Sequence, residues 1–330
     1  DYIIKEVTTL DTIDIKTFIK FVTQDDDKYK YKSLLQKQGY ETDYLREQDL
    51  NANYLPSESI RIPVDKESVL KNKIVDNNLS DEIVDEIIIK IKGQALYKNR
   101  LLMLDIIAEN NWERPIYFTG GSFGDDDYLW MKDYLQLEGL CYKLVPIKTP
   151  IDPSNPYEMG RVNTEKMYSM VKDWDWGTKG NMDVYFDVES RKNSITYRSN
   201  ISRLVNQLIT ENKKVKAEEI TDIVIENMPV NIFGYYTLLE TYIESYYKLD
   251  NKEKARILFS EIADKYKENL FYFSTLKDKN TNRYAEEIYT DIERYRSLVG
   301  VIISYEEGEF LEKQMEDFNS YLELFIGKEE

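Results

Sequence analysis

The sequence predicts two units of different fold class, an α/β unit followed by an all-α unit. Between residues 60 and 150, short runs rich in β-branched residues alternate with segments of helical periodicity. This alternation predicts a small parallel sheet with covering helices. Three of the eight prolines then fall within residues 149–156, as expected of a linker. After about Ser194 the apolar residues keep helical spacing to the end, which predicts a tetratricopeptide-like helical repeat region.

These observations divide the chain into four segments, residues 1–59, 60–150, 151–193 and 194–330. The first is an irregular N-terminal segment with one short helix, expected over residues 14–22 because its apolar residues share one helical face. The second is the α/β domain. The third is a linker and loop region with a short helix over residues 164–171, and the fourth is the helical domain.

The α/β domain is predicted from five elements in the order strand, helix, strand, helix, strand. The strands are expected over residues 86–92, 114–119 and 140–147, and the helices over 99–110 and 128–138. Asp126 or Asp127 is a plausible N-cap of the second helix, and Gly139 would end it. An additional edge strand is expected over residues 60–64, ended by Pro63. The alternation implies right-handed crossovers and therefore parallel strands.

The helical domain contains two segments in a common register, separated by 38 residues. The equivalent positions are Ile201, Leu208, Ala217 and Pro229 in the first segment and Leu239, Tyr246, Ala255 and Lys267 in the second. Their spacing, with a small residue where two helices would cross, resembles the tetratricopeptide pattern. Two further helices, over residues 283–304 and 309–326, are expected to cap the stack.

Composition excludes several classes of function. The net charge of −17 argues against nucleic acid and against anionic membrane surfaces as partners. No apolar run approaches the roughly 18 to 20 residues of a membrane helix, so direct membrane insertion of this chain is not expected. The sequence contains no histidine, which removes histidine-dependent nucleophiles and histidine metal sites. No catalytic residue, metal ligand or cofactor is therefore predicted, and Cys141 is expected to be a buried thiol.

Several sequence blocks resemble the bacterial protein O-mannosyltransferase-like membrane proteins, a family labelled as a domain of unknown function. The blocks are residues 62–67, 93–99, 103–112, 114–118, 133–140, 144–147 and 161–168. The resemblance implies a soluble C-terminal region that follows many N-terminal membrane helices and faces the extracytoplasmic (periplasmic) side. It also implies that any catalytic carboxylates lie in that membrane part, which these residues do not include. The implied partners are the protein's own N-terminal membrane domain and a polypeptide partner or acceptor protein.

An acidic loop is the first candidate ligand site. Asp125, Asp126 and Asp127 follow the glycine-rich residues 120–124, between a predicted strand and a predicted helix. Backbone N–H groups at such a position can bind an anion, but three aspartates would repel phosphate and would suit a divalent cation such as Ca²⁺. The alternative is a plain loop with an acidic helix start.

Aromatic residues form the other candidates. Trp174 and Trp176 flank Asp175, and aromatic rings beside a carboxylate are typical of sugar binding, although a packed loop would have the same composition. Among the 27 tyrosines, Tyr235, Tyr242 and Tyr246 fall at helical positions that can line a groove for a polypeptide or fill the repeat core. The leading hypothesis is a non-catalytic accessory module that binds a polypeptide. The alternative is a carbohydrate- or divalent-metal-binding module, and a free-standing enzyme ranks third.

Overall fold

The computed structural model describes residues 2–4, 12–93, 95–120, 124–152, 158–177, 184–234, 236–276 and 283–326. The chain divides into two compact units, Asp1–Arg161 and Val162–Glu330. The finer division into four segments stays a prediction. The two units are mixed α/β and helical respectively, in agreement with the predicted order of fold classes.

The first unit alternates short strands with short helices. Its strands are β1 (Tyr2–Ile4), β2 (Thr12–Asp14), β3 (Ser59–Pro63), β4 (Glu86–Lys90), β5 (Ala95–Tyr97), β6 (Tyr117–Thr119), β7 (Leu135–Glu138) and β8 (Cys141–Leu144). Its helices are α1 (Ile15–Val22), α2 (Tyr31–Lys37), α3 (Glu47–Leu50), α4 (Lys66–Lys71) and α5 (Lys98–Asn110). A two-residue strand, β9 (Arg161–Val162), lies at the boundary between the units.

The strands of the described residues form small sheets in which antiparallel pairing dominates. β1 pairs with β5, β3 with β4, and β8 with both β6 and β7, all antiparallel, whereas β2 and β3 run parallel. The prediction of one small parallel sheet was therefore wrong, because β4 lies in a different sheet from β6 and β8, and β6 and β8 pair antiparallel. β3 is also the central strand of its sheet and not an edge strand. It tolerates Pro63 because this is its last residue.

The helix predicted over residues 128–138 is absent, and the reason is local. Leu129 and Trp130 adopt left-handed backbone with φ of 51° and 56°, which ends any right-handed helix at that point. A 3-10 turn over Lys132–Tyr134 then leads into β7, all four of whose residues are buried, and Gly139 with φ of 63° turns the chain into β8. The alternating sequence of β7 is that of a hairpin strand. Consequently, neither Asp126 nor Asp127 caps a helix of that length.

Two predicted helices of this unit are confirmed. α1 begins after Asp14, whose carboxylate accepts the backbone N–H of Lys16 at 3.0 Å, as an N-cap does. It buries Ile15, Phe18 and Val22. α5 occupies almost the expected range and packs against α1. These helices are predictable because their caps and apolar spacing are local signals.

The second unit is helical. It contains α6 (Thr164–Asp173), α7 (Val188–Thr210), α8 (Lys214–Asn227), α9 (Val230–Phe233), α10 (Glu240–Lys248), α11 (Lys252–Ser274), α12 (Ala285–Ile303) and α13 (Glu309–Glu323). The long helices pack as consecutive pairs, α7 with α8, α10 with α11 and α12 with α13. The two final helices lie where the sequence predicted them.

The internal register predicted at a shift of 38 residues coincides with buried positions. Ala217 and Ala255 are both fully buried in the second helix of a pair, where a small side chain allows close approach. The two segments differ at their ends, since α8 stops before Pro229 whereas α11 continues past Lys267 to Ser274. The tetratricopeptide-like nature of the stack stays a prediction.

A buried guanidinium joins three parts of the helical unit. Arg198 of α7 is fully buried and donates to the carbonyls of Met228 at 2.6 Å and Gly234 at 2.5 Å, which flank α9. Tyr242 of α10 donates to the carbonyl of Arg198 at 2.6 Å. Burial lowers the pKa of Arg198 to about 10, so the side chain stays charged at neutral pH.

Substitutions of two buried tyrosines are predicted to change the free energy of unfolding differently. Tyr242→Phe removes a buried hydrogen bond and should lower the free energy of unfolding by about 1 kcal/mol. The hydroxyl of Tyr266 is buried and has no hydrogen-bond partner among the described residues. Tyr266→Phe should therefore leave stability unchanged or raise it by up to about 1 kcal/mol. Urea unfolding of both variants measures the difference, and equal losses in the two would contradict the assignment.

Candidate functional site

The helix that precedes the tryptophan pair is anchored to its neighbours by ion pairs. Asn163 caps α6 by accepting the backbone N–H of Lys166 at 3.1 Å. Glu165 pairs with Lys213 at 2.7 Å and with Lys216 at 2.6 Å, and these lysines lower the pKa of Glu165 to about 2. At the other end of α6, Lys172 pairs with Glu219 of α8 at 2.7 Å. These ion pairs hold both ends of α6 against α8 and the residue before it, Lys213.

The backbone after α6 places the two indoles side by side. Trp174 leaves the helix in extended backbone, with φ of −64° and ψ of 136°. Residues two apart on an extended chain point to the same side, which brings Trp176 next to Trp174. Asp175 accepts the backbone N–H of Gly177 at 2.9 Å, and Gly177 adopts a left-handed φ of 64°. This turn fixes the Trp-Asp-Trp segment.

A third ring completes an aromatic cluster. Tyr197 of α7 lies with its ring centroid 5.3 Å from that of Trp174 and 6.0 Å from that of Trp176, and the two indoles are 5.5 Å apart. All three side chains are partly exposed, and Asp175 is exposed beside them. We call Trp174, Asp175, Trp176 and Tyr197 the aromatic surface. Its rings offer apolar faces and its carboxylate offers acceptors, which is the composition that a pyranose ring requires.

The acidic loop has its charges paired. Asp125 binds Lys92 at 2.8 Å and Lys132 at 3.0 Å, and hydrogen bonding to Lys92 and Lys132 lowers the pKa of the Asp125 carboxyl. Arg100 of α5 pairs with Asp126 at 3.2 Å and also with Asp127. Residues 121–123 of this loop lie outside the described residues.

These ion pairs bear on the divalent-cation hypothesis. A cation at this loop would have to displace Arg100 and the two lysines from the carboxylates that they neutralise. Across the part of the chain that the structure describes, no three His, Cys, Asp or Glu side chains are grouped so that they can hold a metal ion. Arg100 also borders a cavity of about 410 Å³, which Tyr117, Tyr128 and Asp127 line as well. Arg100 neutralises the charge of Asp127 there.

The tyrosines predicted to line a groove belong to the core. Tyr242 is fully buried and bound to the Arg198 carbonyl. Tyr246 is 3% exposed and donates to Asp222 at 2.8 Å. Their placement in an accessible groove was therefore wrong, because both rings are buried in the helical unit and each hydroxyl has an acceptor there. Tyr235 lies outside the described residues.

A buried polar network on β7 and β8 was missed. Glu138 accepts from Gln136 and from Tyr117, each at 2.8 Å, and its carboxylate lies 3.9 Å from the Lys143 ammonium. Gln136, Glu138 and Lys143 are all at most 4% exposed. Burial, with the hydrogen bond to Glu138, raises the pKa of Tyr117 to about 12. A hairpin assignment of residues 135–144 would have found this network, since alternation places these residues on one face. Cys141, expected to be buried, is half-exposed at its edge.

The model of the family described as TMEM260-associated domain 2 matches residues 1–166. The chain belongs to this family. The TMEM260-associated domain is linked to TMEM260, a membrane glycosyltransferase-like protein, which agrees with the resemblance seen in the sequence. No curated protein and no solved structure matches the chain.

The residues that the family model matches comprise the α/β unit of this chain and the start of α6. The residues of the aromatic surface lie between residues 174 and 197, outside the matched range. Within the described residues, no helix has the length and apolar character needed to cross a bilayer.

The buried network predicts a stability difference between two glutamates. Glu138→Gln leaves the Lys143 ammonium buried beside a neutral amide and should lower the free energy of unfolding by about 3 kcal/mol. Glu86 pairs with Arg61 on exposed strand positions at 3.9 Å, so Glu86→Gln should change stability by less than about 0.5 kcal/mol. Denaturant unfolding compares the two, and a loss below that of Glu86→Gln would show that Glu138 is not part of a buried pair.

Proposed function

We propose that this chain is a non-catalytic accessory module of a TMEM260-type membrane glycosyltransferase-like protein and that it binds carbohydrate at the aromatic surface. The observation that supports this most is the cluster of Trp174, Trp176 and Tyr197, whose ring centroids lie within 6.0 Å of one another beside exposed Asp175. The ligand class is a pyranose of a glycan, with mannose as the first sugar to test.

The chemistry of the aromatic surface favours a sugar over other ligands. One face of a pyranose presents C–H groups, which carry partial positive charge and pack on the negative face of an aromatic ring. The ring edges present hydroxyls, which donate to a carboxylate such as that of Asp175. A free anion would be repelled by Asp175, and a purely apolar ligand would gain no hydrogen bond from its carboxylate.

The accessory role rests on the family and on composition. The family is associated with a membrane glycosyltransferase-like protein, and this chain contains no histidine for acid–base or nucleophilic work. We place the glycosyl transfer in the membrane part of the parent protein and the present chain on the extracytoplasmic side, next to that part. Such a module would hold a glycan or a glycosylated acceptor protein close to the membrane-embedded site.

Two earlier alternatives are not favoured by the geometry. The divalent-metal site would need Asp125, Asp126 and Asp127 free of their lysine and arginine partners. The polypeptide groove through Tyr242 and Tyr246 would need both tyrosines accessible, and both are buried.

Binding of mannosides to the full chain tests the proposal. Calorimetric titration with methyl α-mannoside and with a linear mannobiose should give saturable heat, because aromatic rings of this surface would contact the sugar. Trp176→Ala should weaken binding about tenfold, as expected for the loss of roughly 1.4 kcal/mol of stacking. Asp175→Asn should weaken it less, since the amide oxygen still accepts hydrogen bonds.

A matched control is Tyr289→Ala, which removes an aromatic ring that is 65% exposed on α12. This variant should bind mannosides as the unaltered chain does. The proposal fails if the unaltered chain gives no heat with either sugar, or if Tyr289→Ala and Trp176→Ala weaken binding equally.

A further inference from the structure

A cavity of about 600 Å³ opens on the α/β unit. Its lining comes from β1, the end of α1, the residues around α3, β5 and the start of α5. Sites for small molecules have volumes of roughly 300 to 1,000 Å³, so this cavity has the size of one. The described residues that line it all lie within the range that the family model matches. The cavity is therefore a feature of the TMEM260-associated domain itself.

One wall of this cavity is apolar and is built by the pairing of β1 with β5. Ile3 lies opposite Leu96 in the antiparallel register, so both side chains point to the same face of this two-stranded sheet. Both are buried, and both line the cavity. The buried Val22 and the half-buried Leu101 extend this wall. Such a wall favours the hydrocarbon part of a ligand, because apolar contact removes that part from water.

The cavity is also lined by two lysines. The ammonium of Lys30 pairs with Asp25 at 3.1 Å, and the Asp25 side chain is 98% exposed whereas that of Lys30 is 22% exposed. An ion pair to such an exposed carboxylate contributes little, so the carboxylate of a ligand can replace it. Lys98, the first residue of α5, lines the cavity as well.

Backbone contacts fix the position of Lys30. Lys30 forms an isolated antiparallel bridge with Asn53. The side-chain amide of Asn53 donates to the carbonyls of Val22 at 2.7 Å and Gln24 at 2.9 Å, which lie at the end of α1. The backbone that carries the lysine is therefore joined to the helix whose last residue lines the apolar wall. A site that is ordered before its ligand arrives loses less entropy on binding.

The charge of the lining differs in sign from that of the chain. The sequence has 61 acidic and 44 basic side chains, yet the described residues that line this cavity include two lysines and no aspartate or glutamate. Exposed carboxamides of Gln48 and Asn51 add N–H donors. The cavity therefore favours a negatively charged group. An extended anionic surface would still be repelled by the net charge of −17, which restricts the ligand to a small molecule.

We propose that this cavity binds a small organic anion with an apolar body, a carboxylate or a phosphate monoester of a hydrocarbon group. Lys30 and Lys98 bind the anionic head, and Ile3 and Leu96 contact the hydrocarbon. This site goes beyond carbohydrate binding. Its residues belong to the α/β unit, whereas the aromatic surface belongs to the helical unit, and neither site needs the other.

The test titrates the full chain by calorimetry with octanoate, octyl phosphate, 1-octanol and octylamine, each below its micelle-forming concentration. Both anions should bind at least about tenfold more tightly than the neutral alcohol, because they add charge-assisted hydrogen bonds to lysine. Octylamine, which is positively charged, should bind more weakly than the alcohol. Octanoate should bind at least about tenfold more tightly than butyrate, because it buries more hydrocarbon. The tighter of the two anions identifies the head group.

Substitutions of lysine locate the binding in the cavity. Lys30→Gln should weaken octanoate about tenfold, and Lys98→Gln about threefold because Lys98 is more exposed. A matched control is Lys37→Gln, which removes a positive charge at an exposed position at the end of α2 and should change the affinity less than about twofold. All three variants should bind mannosides as the unaltered chain does.

Three results would overturn the proposal. The first is that neither anion binds more tightly than 1-octanol, which includes no binding of any of the four. The second is an unchanged octanoate affinity in Lys30→Gln and Lys98→Gln that are folded by circular dichroism. The third is that butyrate binds as tightly as octanoate, which would make the ligand a bare anion. Mannoside binding is measured separately, so failure of this site is distinguishable from failure of the aromatic surface.

Discussion

The helical unit depends on one buried charge, the guanidinium of Arg198. Taking this group out of water costs several kcal/mol unless its N–H groups find acceptors. The carbonyls of Gly234 and Met228 accept from its two terminal nitrogens, and its Nε–H has no partner among the described residues. This requirement fixes the backbone on both sides of α9. The chain then enters the turn that holds Tyr236 and the start of α10 with Glu240. The position of these two side chains therefore follows from a contact in the core.

Local signals determined how much of the fold was predictable. α1 and α5 have caps or apolar spacing that can be recognised within a few residues, and the helices after Ser194 repeat such spacing. No local signal in the sequence gives the direction in which strands pair. The prediction of a parallel sheet was wrong for that reason. The prediction of a helix over residues 128–138 was wrong because Leu129 and Trp130 adopt a left-handed backbone conformation, which neither residue type favours.

The candidate sites show the same division between local and distant information. Trp174 and Trp176 were recognisable because they are neighbours in sequence, whereas Tyr197 joins them from another helix. The acidic loop was visible, but its neutralisation by Arg100 depends on how α5 packs. A tyrosine is compatible with both core and surface. Whether it is buried depends on how the surrounding helices pack and on whether its hydroxyl has an acceptor there, which the sequence does not reveal.

Amide hydrogen exchange of Arg198→Lys, compared with that of the unaltered chain, tests most directly whether Arg198 positions the backbone around α9. A lysine can reach one of the two carbonyls at most, so the account predicts a loss of protection concentrated between Met228 and Glu240. The helices α12 and α13 should keep their protection under the same conditions. Unchanged protection from Met228 to Glu240 would contradict the claim that Arg198 positions this part of the helical unit.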